Sequence, residues 1–464
     1  MTLLTLGAAT LYSTGEWRFD GATPPDFVTD AEGVTVGQGP VADHRFRVAL
    51  GLDADPWKVK TEWDLFSGQF AGDTWDLDVA IDARHREDLG ITDIGSFLPR
   101  QAWVQTLAGP VQVQLGLVTS HWGLGMVAND GAHDPLFGRA QFGDRVIRAR
   151  VAASPNGPGT AVTLVGAFDR VVSDDAAAMT DGQTAWQGVF AALATEDANQ
   201  GGVYMVLRQQ TEADGVRQTM AGVLDLYGNV VLAREGPDVV ARAEAAGITG
   251  STSRTRTYEH ETLQVLSGGA LGAVGLADTR WTADFWGGWA SGDGNPDDGA
   301  THDFSFDRDA NVGLVLFDEI GGATEAQTYT HLIDPEHTGA PPDGADATVT
   351  EGSFRRAAFL QPVVDVKPAD WLGLRLGYLA AWSTAPIANP YTSFRNGGTP
   401  TNAFGVETSG RFIGTELDAA LRFGAPKTWK VRPELEVQGA WYTASADWGG
   451  AEGTTIRGTV RAAW

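Results

Sequence analysis

Apolar and polar residues alternate along most of this chain with a period of two. In HRFRVALGLDAD (44–55), Phe46, Val48, Leu50 and Leu52 share one face, and Arg45, Arg47 and Asp53 the other. WKVKTEWDLF (57–66) sets Trp57, Val59, Thr61, Trp63 and Leu65 against Lys58, Lys60, Glu62 and Asp64. TWDLDVAID (74–82) sets Trp75, Leu77, Val79 and Ile81 against Asp76, Asp78 and Asp82. Successive side chains of a strand point to opposite faces, so this alternation predicts strands with one apolar and one polar face. The pattern predicts eighteen of them: 43–53, 57–67, 74–83, 97–107, 110–119, 144–153, 160–169, 184–194, 202–211, 216–228, 238–249, 260–276, 279–291, 354–367, 371–383, 411–423, 429–444 and 454–464.

The connections alternate too. Short turns such as Ala108-Gly109, SPNGPG (154–159) and KPAD (367–370) fall on one side. Longer segments fall mostly on the other: 84–96, 120–143, 170–183, 250–259, 292–353 and 384–410. That is the layout of an outer-membrane barrel. PDVVARAEAAGITG (237–250) holds helix-favouring Ala and Glu, but a strand there keeps the up-down parity. NVGLVLFDEI (311–320) is apolar without clean alternation, so it extends strands or packs inside the loop 292–353.

A soluble sandwich or solenoid also alternates. Three features argue for a membrane barrel instead. Trp57, Trp63, Trp75, Trp281, Trp289, Trp382, Trp429, Trp441 and Trp464 lie on the apolar face near strand ends, as in an interfacial girdle. The polar faces carry too much charge for a second sheet to pack on them, and no repeat of fixed length occurs. The expected fold is all-β, a transmembrane antiparallel β-barrel of eighteen strands, with sixteen as the alternative. Residues 43–464 form it, 1–42 are an N-terminal periplasmic segment, and 120–143, 292–353 and 384–410 are long extracellular loops. The last strand ends on Trp464, with Ile456, Gly458, Val460 and Ala462 at alternate positions before it. That pattern resembles the signal read by the outer-membrane assembly machinery, and the strand is expected to close the barrel against the first.

Composition narrows the choice. The 464 residues include 59 Asp plus Glu and 33 Lys plus Arg. So acidic a chain does not suit a nucleic-acid backbone. It has no cysteine, which excludes disulfides and thiolate metal sites. No apolar run approaches the roughly 18 residues of a membrane helix. No Lys or Arg precedes Arg18, so the start lacks the basic region of a signal peptide and reads as near the start of a processed chain. The outer membrane of a Gram-negative bacterium is the expected location, with its lipid as a partner.

If the apolar face meets lipid, the polar face lines the lumen. The bases predicted there are Arg45, Arg47, Lys58, Lys60, Arg148, Arg150, Arg208, Arg217, Arg280, Arg375, Arg422, Lys430, Arg432, Arg457 and Arg461. The acids are Glu62, Asp64, Asp76, Asp78, Asp82, Asp225, Asp284, Glu416, Asp418, Glu434 and Glu436. The lumen is thus slightly basic, and the acidic excess lies in loops and turns. With the last strand beside the first, Arg45, Arg47, Lys58, Lys60, Lys430, Arg432, Arg457 and Arg461 would share one basic wall suited to anionic permeants. The competing reading is that these bases pair with lumen acids.

Other chemistry is thin. In GDGNPDDGATHDFSFDRD (292–309), Asp293, Asn295 and Asp297 have the alternate oxygen ligands of a calcium loop, giving a candidate surface Ca²⁺ site. The EF-hand pattern fails at Asp298 and Phe304, and no other cofactor is expected. The histidines 44, 85, 121, 133, 260, 302, 331 and 337 lie in loops or near strand ends, outside any triad or HExxH context, so an enzyme is not expected. The loops 120–143 and 292–353 are candidate gates that fold into the pore, or else external caps.

FIGTELDAALRF (412–423) resembles the glycine, Glu-Leu-Asp signature of alginate-export-type outer-membrane barrels. HWGLGMVANDG (121–131), and WASGDGNPDD with FDRDANVGLVLFDEI (306–320), resemble related eighteen-stranded barrels. The resemblance implies a porin that exports a polysaccharide, in that family an acidic one, with a periplasmic scaffold as partner. A general diffusion porin for small solutes, or a surface adhesin with acidic loops, are the alternatives.

Overall fold

The alternation is realised as one closed antiparallel sheet. The structure, a computed structural model, describes every residue except 1, 7–8, 24–25, 34, 37–39, 72–95, 141–142, 156–161, 256–259, 296–297, 339–343, 351, 408–410 and 427. Among the described residues eighteen strands form the barrel. They are β1 (Ala9–Thr23), β2 (Val41–Ala54), β3 (Trp57–Ala71), β4 (Ser96–Ala108), β5 (Val111–Thr119) and β6 (Arg145–Ala153). Next come β7 (Val162–Ser173), β8 (Thr184–Glu196), β9 (Asn199–Thr211), β10 (Gln218–Leu232), β11 (Asp238–Thr252) and β12 (Leu263–Ala277). The last six are β13 (Trp281–Ala290), β14 (Ala357–Ala369), β15 (Leu372–Ser383), β16 (Phe412–Gly424), β17 (Arg432–Ala444) and β18 (Glu452–Ala463). Each pairs with the next, and β18 pairs with β1 from Glu16↔Ala463 to Thr23↔Ile456. Closure leaves the sheet no free edge, the condition for crossing hydrocarbon.

The strand count holds, but one member differs. Residues 1–42 are not a segment outside the barrel. Ala9–Thr23 is a full strand, paired on one side with β2 from Ala9↔Ala54 to Ala22↔Val41 and on the other with β18. Its outward positions include Ser13 and Gly15, which interrupt the apolar alternation that Leu11, Trp17 and Phe19 would otherwise show. The short strand Thr2–Leu6 continues the β18 side of β1, pairing with Ala9–Ser13. The predicted strand 74–83, with Trp75, Asp76, Asp78 and Asp82, lies outside the described residues. The segment 237–250 is strand from Asp238 onward, as parity requires.

The outer face is apolar. Phe168, Phe190, Leu207, Leu224, Leu266, Phe285 and Ile456 are exposed there, with Trp57, Trp63, Trp289, Trp382, Trp429 and Trp441. So much exposed apolar surface demands lipid around it. Leu224 sits midway along β10 and points outward. Leu224→Arg is expected to destabilise the barrel by about 2–4 kcal/mol, the cost of a cation near the bilayer midplane. Denaturant unfolding in lipid vesicles measures it, and a change under about 0.5 kcal/mol would place Leu224 away from lipid.

The barrel is filled from one end. The short connections 55–56, 109–110, 197–198, 278–280 and 370–371 lie at one rim, and the long ones, including 120–144, 291–356 and 384–411, at the other. Both 120–144 and 291–356 fold inward. Met126 and Phe137 of the first join Phe304, Phe306, Leu314, Leu316, Phe317, Ile320 and Phe354 of the second, packing on wall residues Phe359, Leu379, Ile413 and Tyr442. The apolar stretch 311–320 is therefore core inside the barrel, ending in a π-helix (Leu316–Gly321) that runs into α1 (Gly322–Ile333).

Candidate functional site

The lumen is the candidate site, and its charges are largely paired. On β2, Arg45 binds Glu16 at 2.7 Å and Arg47 binds Asp64 at 2.7 Å. Lys60 meets Glu62 at 2.9 Å, and Lys58 meets Asp53 at 3.3 Å. Arg148 grips Asp169 at 2.7 Å, while Arg150 donates to Gln112 Oε1 at 2.8 Å. Arg208 reaches the loop acid Asp174 at 2.5 Å. Arg375 binds Asp365 at 3.0 Å and Arg422 binds Glu436 at 2.8 Å. Arg457 spans Asp318 and Glu319 at 3.1 and 3.3 Å, and Arg461 binds Asp134 at 2.8 Å.

Three of the predicted bases sit at the rims rather than on the wall. Arg217 pairs with Asp214 within the turn 212–217, Arg280 donates to the Pro368 carbonyl from the turn 278–280, and Lys430 is exposed in the connection 425–431. The continuous basic wall does not form. β1 stands between β2 and β18 and brings Glu16 and Asp20 into the seam. Glu16 takes Arg45 and lies 3.6 Å from Arg461, and Asp20 takes Arg18 at 2.7 Å. Arg18 and Arg100 were missed as lumen residues. Arg18 belongs to the unrecognised strand. Arg100 follows Pro99, which obscures the polar alternation of β4.

The wall acids have a second role: they hold the inward loops by their backbone. Glu416 on β16 accepts the N–H groups of Leu314, Val315 and Leu316, at 3.0 Å for the last two. Glu244 on β11 accepts those of Leu124 and Met126, and Asp225 on β10 accepts Trp122 Nε1–H at 3.1 Å. Arg139 of loop 120–143 adds ion pairs to Asp20 at 3.0 Å and Asp43 at 2.6 Å, and Gly138 exchanges hydrogen bonds with the Gln438 amide. Phe137 fits over Gly377, where a Cβ would come within 2.6 Å of its ring.

The loops also carry acids that favour protonation. Burial, then the charge of Asp318, push Glu319 up to about 7 against the pull of Arg457 and Arg139. Burial and the neighbouring carboxyls of Asp175, Asp144 and Asp309 push Asp307 well above the ordinary range. A carboxyl whose pKa is raised by docking stabilises the docked loop below its free value and loses that contribution as pH rises through the docked value. Conductance in planar bilayers is therefore expected to be lowest near about pH 5 and to rise through about pH 7. A flat profile in Glu319→Gln with a sloped one in wild type would assign the slope to Glu319.

At the short-turn rim the lumen opens into a cavity of about 400 Å³. Lys367, Arg375, Arg422, Arg432 and Arg461 line it, matched by Glu16, Asp365, Asp370, Glu434 and Glu436. Its charge is balanced, not basic. In the loop 291–356, Asp293 accepts the N–H groups of Asn295 at 3.0 Å and His302 at 3.3 Å, so its oxygens fasten the turn. Asp297 of the calcium pattern lies outside the described residues.

No family model and no curated protein matches this chain. Solved structures do. The outer membrane protein OprD from Pseudomonas aeruginosa superposes with a TM-score of 0.51 at 9% identity, covering 97% of this chain and 93% of that one. OccK2 (OpdF) of the same organism, in complex with glucuronate, gives 0.51 at 8%, covering 98% and 97%. Its OpdK with vanillate gives 0.51 at 11%, covering 97% and 98%. At such identity the likeness establishes the fold, a closed eighteen-stranded barrel. It corrects the resemblance to alginate-export-type barrels: the full-length likeness runs to OprD- and Occ-type structures. The Glu-Leu-Asp of 416–418 places two carboxyls on the inner face of β16, and Glu416 is used there to hold a loop. The export scaffold rested on that resemblance alone.

Proposed function

We propose that the protein is an outer-membrane channel for passive diffusion of small polar solutes. The observation that carries this reading is the pair of loops folded into a barrel whose outer face is apolar. Together they narrow an eighteen-stranded lumen to a path that suits small molecules. The balanced acids and bases of the short-turn mouth favour weak charge selection, because each fixed charge is largely cancelled by its neighbour. The similar OccK2 and OpdK structures hold glucuronate and vanillate, which makes small organic acids a reasonable class to assay beside neutral sugars.

Liposome swelling tests the reading. Vesicles carrying the purified protein should swell in pentoses, hexoses and small carboxylates and stay intact in oligosaccharides beyond a trisaccharide. Equal swelling rates for arabinose and large dextrins would rule out a narrowed path. No swelling in any solute would rule out a channel.

A further inference from the structure

Loop 120–143 carries a constellation that the channel reading does not use. His121 lies just past the end of β5, and Asp130 and His133 return beside it, one ligand atom of each within 4.8 Å of the other two. His133 Nδ1 is 2.9 Å from Asp130 Oδ1, and His121 Nδ1 is 3.9 Å from the same oxygen. The two imidazoles stack, with centroids 4.1 Å and planes 23° apart. The carboxylate is already positioned: Ala132 N–H donates to Asp130 Oδ1 at 2.9 Å, and Arg100 donates to the Asp130 carbonyl. His121 Nδ1 is buried and has no hydrogen-bond partner. A buried polar atom left so is costly unless something completes it.

We infer that His121, Asp130 and His133 form a binding site for a late first-row divalent cation such as Zn²⁺. Two imidazole nitrogens and one carboxylate oxygen, with a fourth position open to water, are a zinc donor set. The same donors select against Mg²⁺ and Ca²⁺, which prefer all-oxygen shells. Metal–ligand bonds of about 2.0–2.1 Å in a tetrahedron space the donor atoms roughly 3.3 Å apart. The separations of 2.9 and 3.9 Å bracket that spacing, and metal binding requires one imidazole, the exposed His133, to turn out of the stack so that both ring planes meet the ion. The His133 side chain is 61% exposed, so a cation reaches the site from solvent. An ordinary i, i+3 ion pair accounts for His133 and Asp130. It does not account for His121, which is brought from the start of the loop to the same oxygen. Bound metal would tie that start to the loop's middle and stiffen the element that narrows the lumen.

The test is calorimetric titration of Zn²⁺ into the full-length, EDTA-stripped protein in detergent with Mg²⁺ in excess. One Zn²⁺ per chain is expected, with a Kd in the micromolar range or tighter. His121→Ala and His133→Ala should each weaken it at least about tenfold. Co²⁺ in place of Zn²⁺ should give the visible bands of a four-coordinate site, and these should vanish in H121A/H133A. Because His133 is exposed, His133→Ala serves alone if the buried His121 position proves intolerant. Absence of saturable binding overturns the assignment. So does one-site binding that survives in H121A/H133A or, where His121 cannot be replaced, in His133→Ala.

Discussion

Glu416→Ala is expected to enlarge the open channel, raising mean single-channel conductance severalfold and making the current noisy. Three backbone N–H groups, of Leu314, Val315 and Leu316, converge on this one carboxylate. All three residues are buried, so no water replaces the acceptor while the loop stays docked. An orphaned buried donor costs about 1–3 kcal/mol, so three cost at least about 3 kcal/mol. That shifts the balance between docked and released loop by more than about a hundredfold. Glu416→Gln keeps a carbonyl acceptor without the charge and should fall between. If Glu416→Ala conducts like wild type, the apolar packing around Phe306 and Phe354 holds the loop unaided and the carboxylate is incidental.

Gly15→Leu should prevent stable closure of the barrel. Gly15 and Trp464 exchange two backbone hydrogen bonds, at 3.2 and 3.0 Å, at the end of the β1–β18 seam. The Trp464 ring lies where a side chain on Gly15 would go, 2.1 Å from an added Cβ. The ring also packs on Phe46 of β2, with centroids 5.7 Å apart. A branched side chain must push the indole aside, and each backbone group it unpairs in lipid costs several kcal/mol. The expected readout is loss of the compact, heat-modifiable band on electrophoresis and a lower yield of folded protein in vesicles. Adding Trp464→Ala should restore part of it by vacating the space. Normal folding of Gly15→Leu with the tryptophan in place would show that the ring is not held there.

Much of the fold was legible because a strand's two faces are written locally. Ile456 and Val460 face outward and Arg457 and Arg461 inward, as alternation alone required. Turn and loop lengths placed the long connections on one rim. The stretch 9–23 escaped because Ser13 and Gly15 break its apolar face. Gly15 is there to make room for Trp464, a contact between residues at opposite ends of the chain.

The charges of the lumen show where such reading stops. Alternation told that Arg45, Arg47 and Arg461 point inward, but not that Glu16 would stand between them. An ion pair is a relation between strands, and its partner depends on strand order and register, which only closure sets. The inward loops are the same case. Phe137, Phe304, Phe306 and Phe354 are scattered in the sequence and show no period, yet they converge in one core. The sequence by itself determined the inner and outer faces of the strands it marked and the rim that bears the long loops, because backbone geometry imposes these residue by residue. Only the tertiary structure decided which acid neutralises which base and which carboxylates grip the loops, because those contacts join segments that a linear pattern cannot place together.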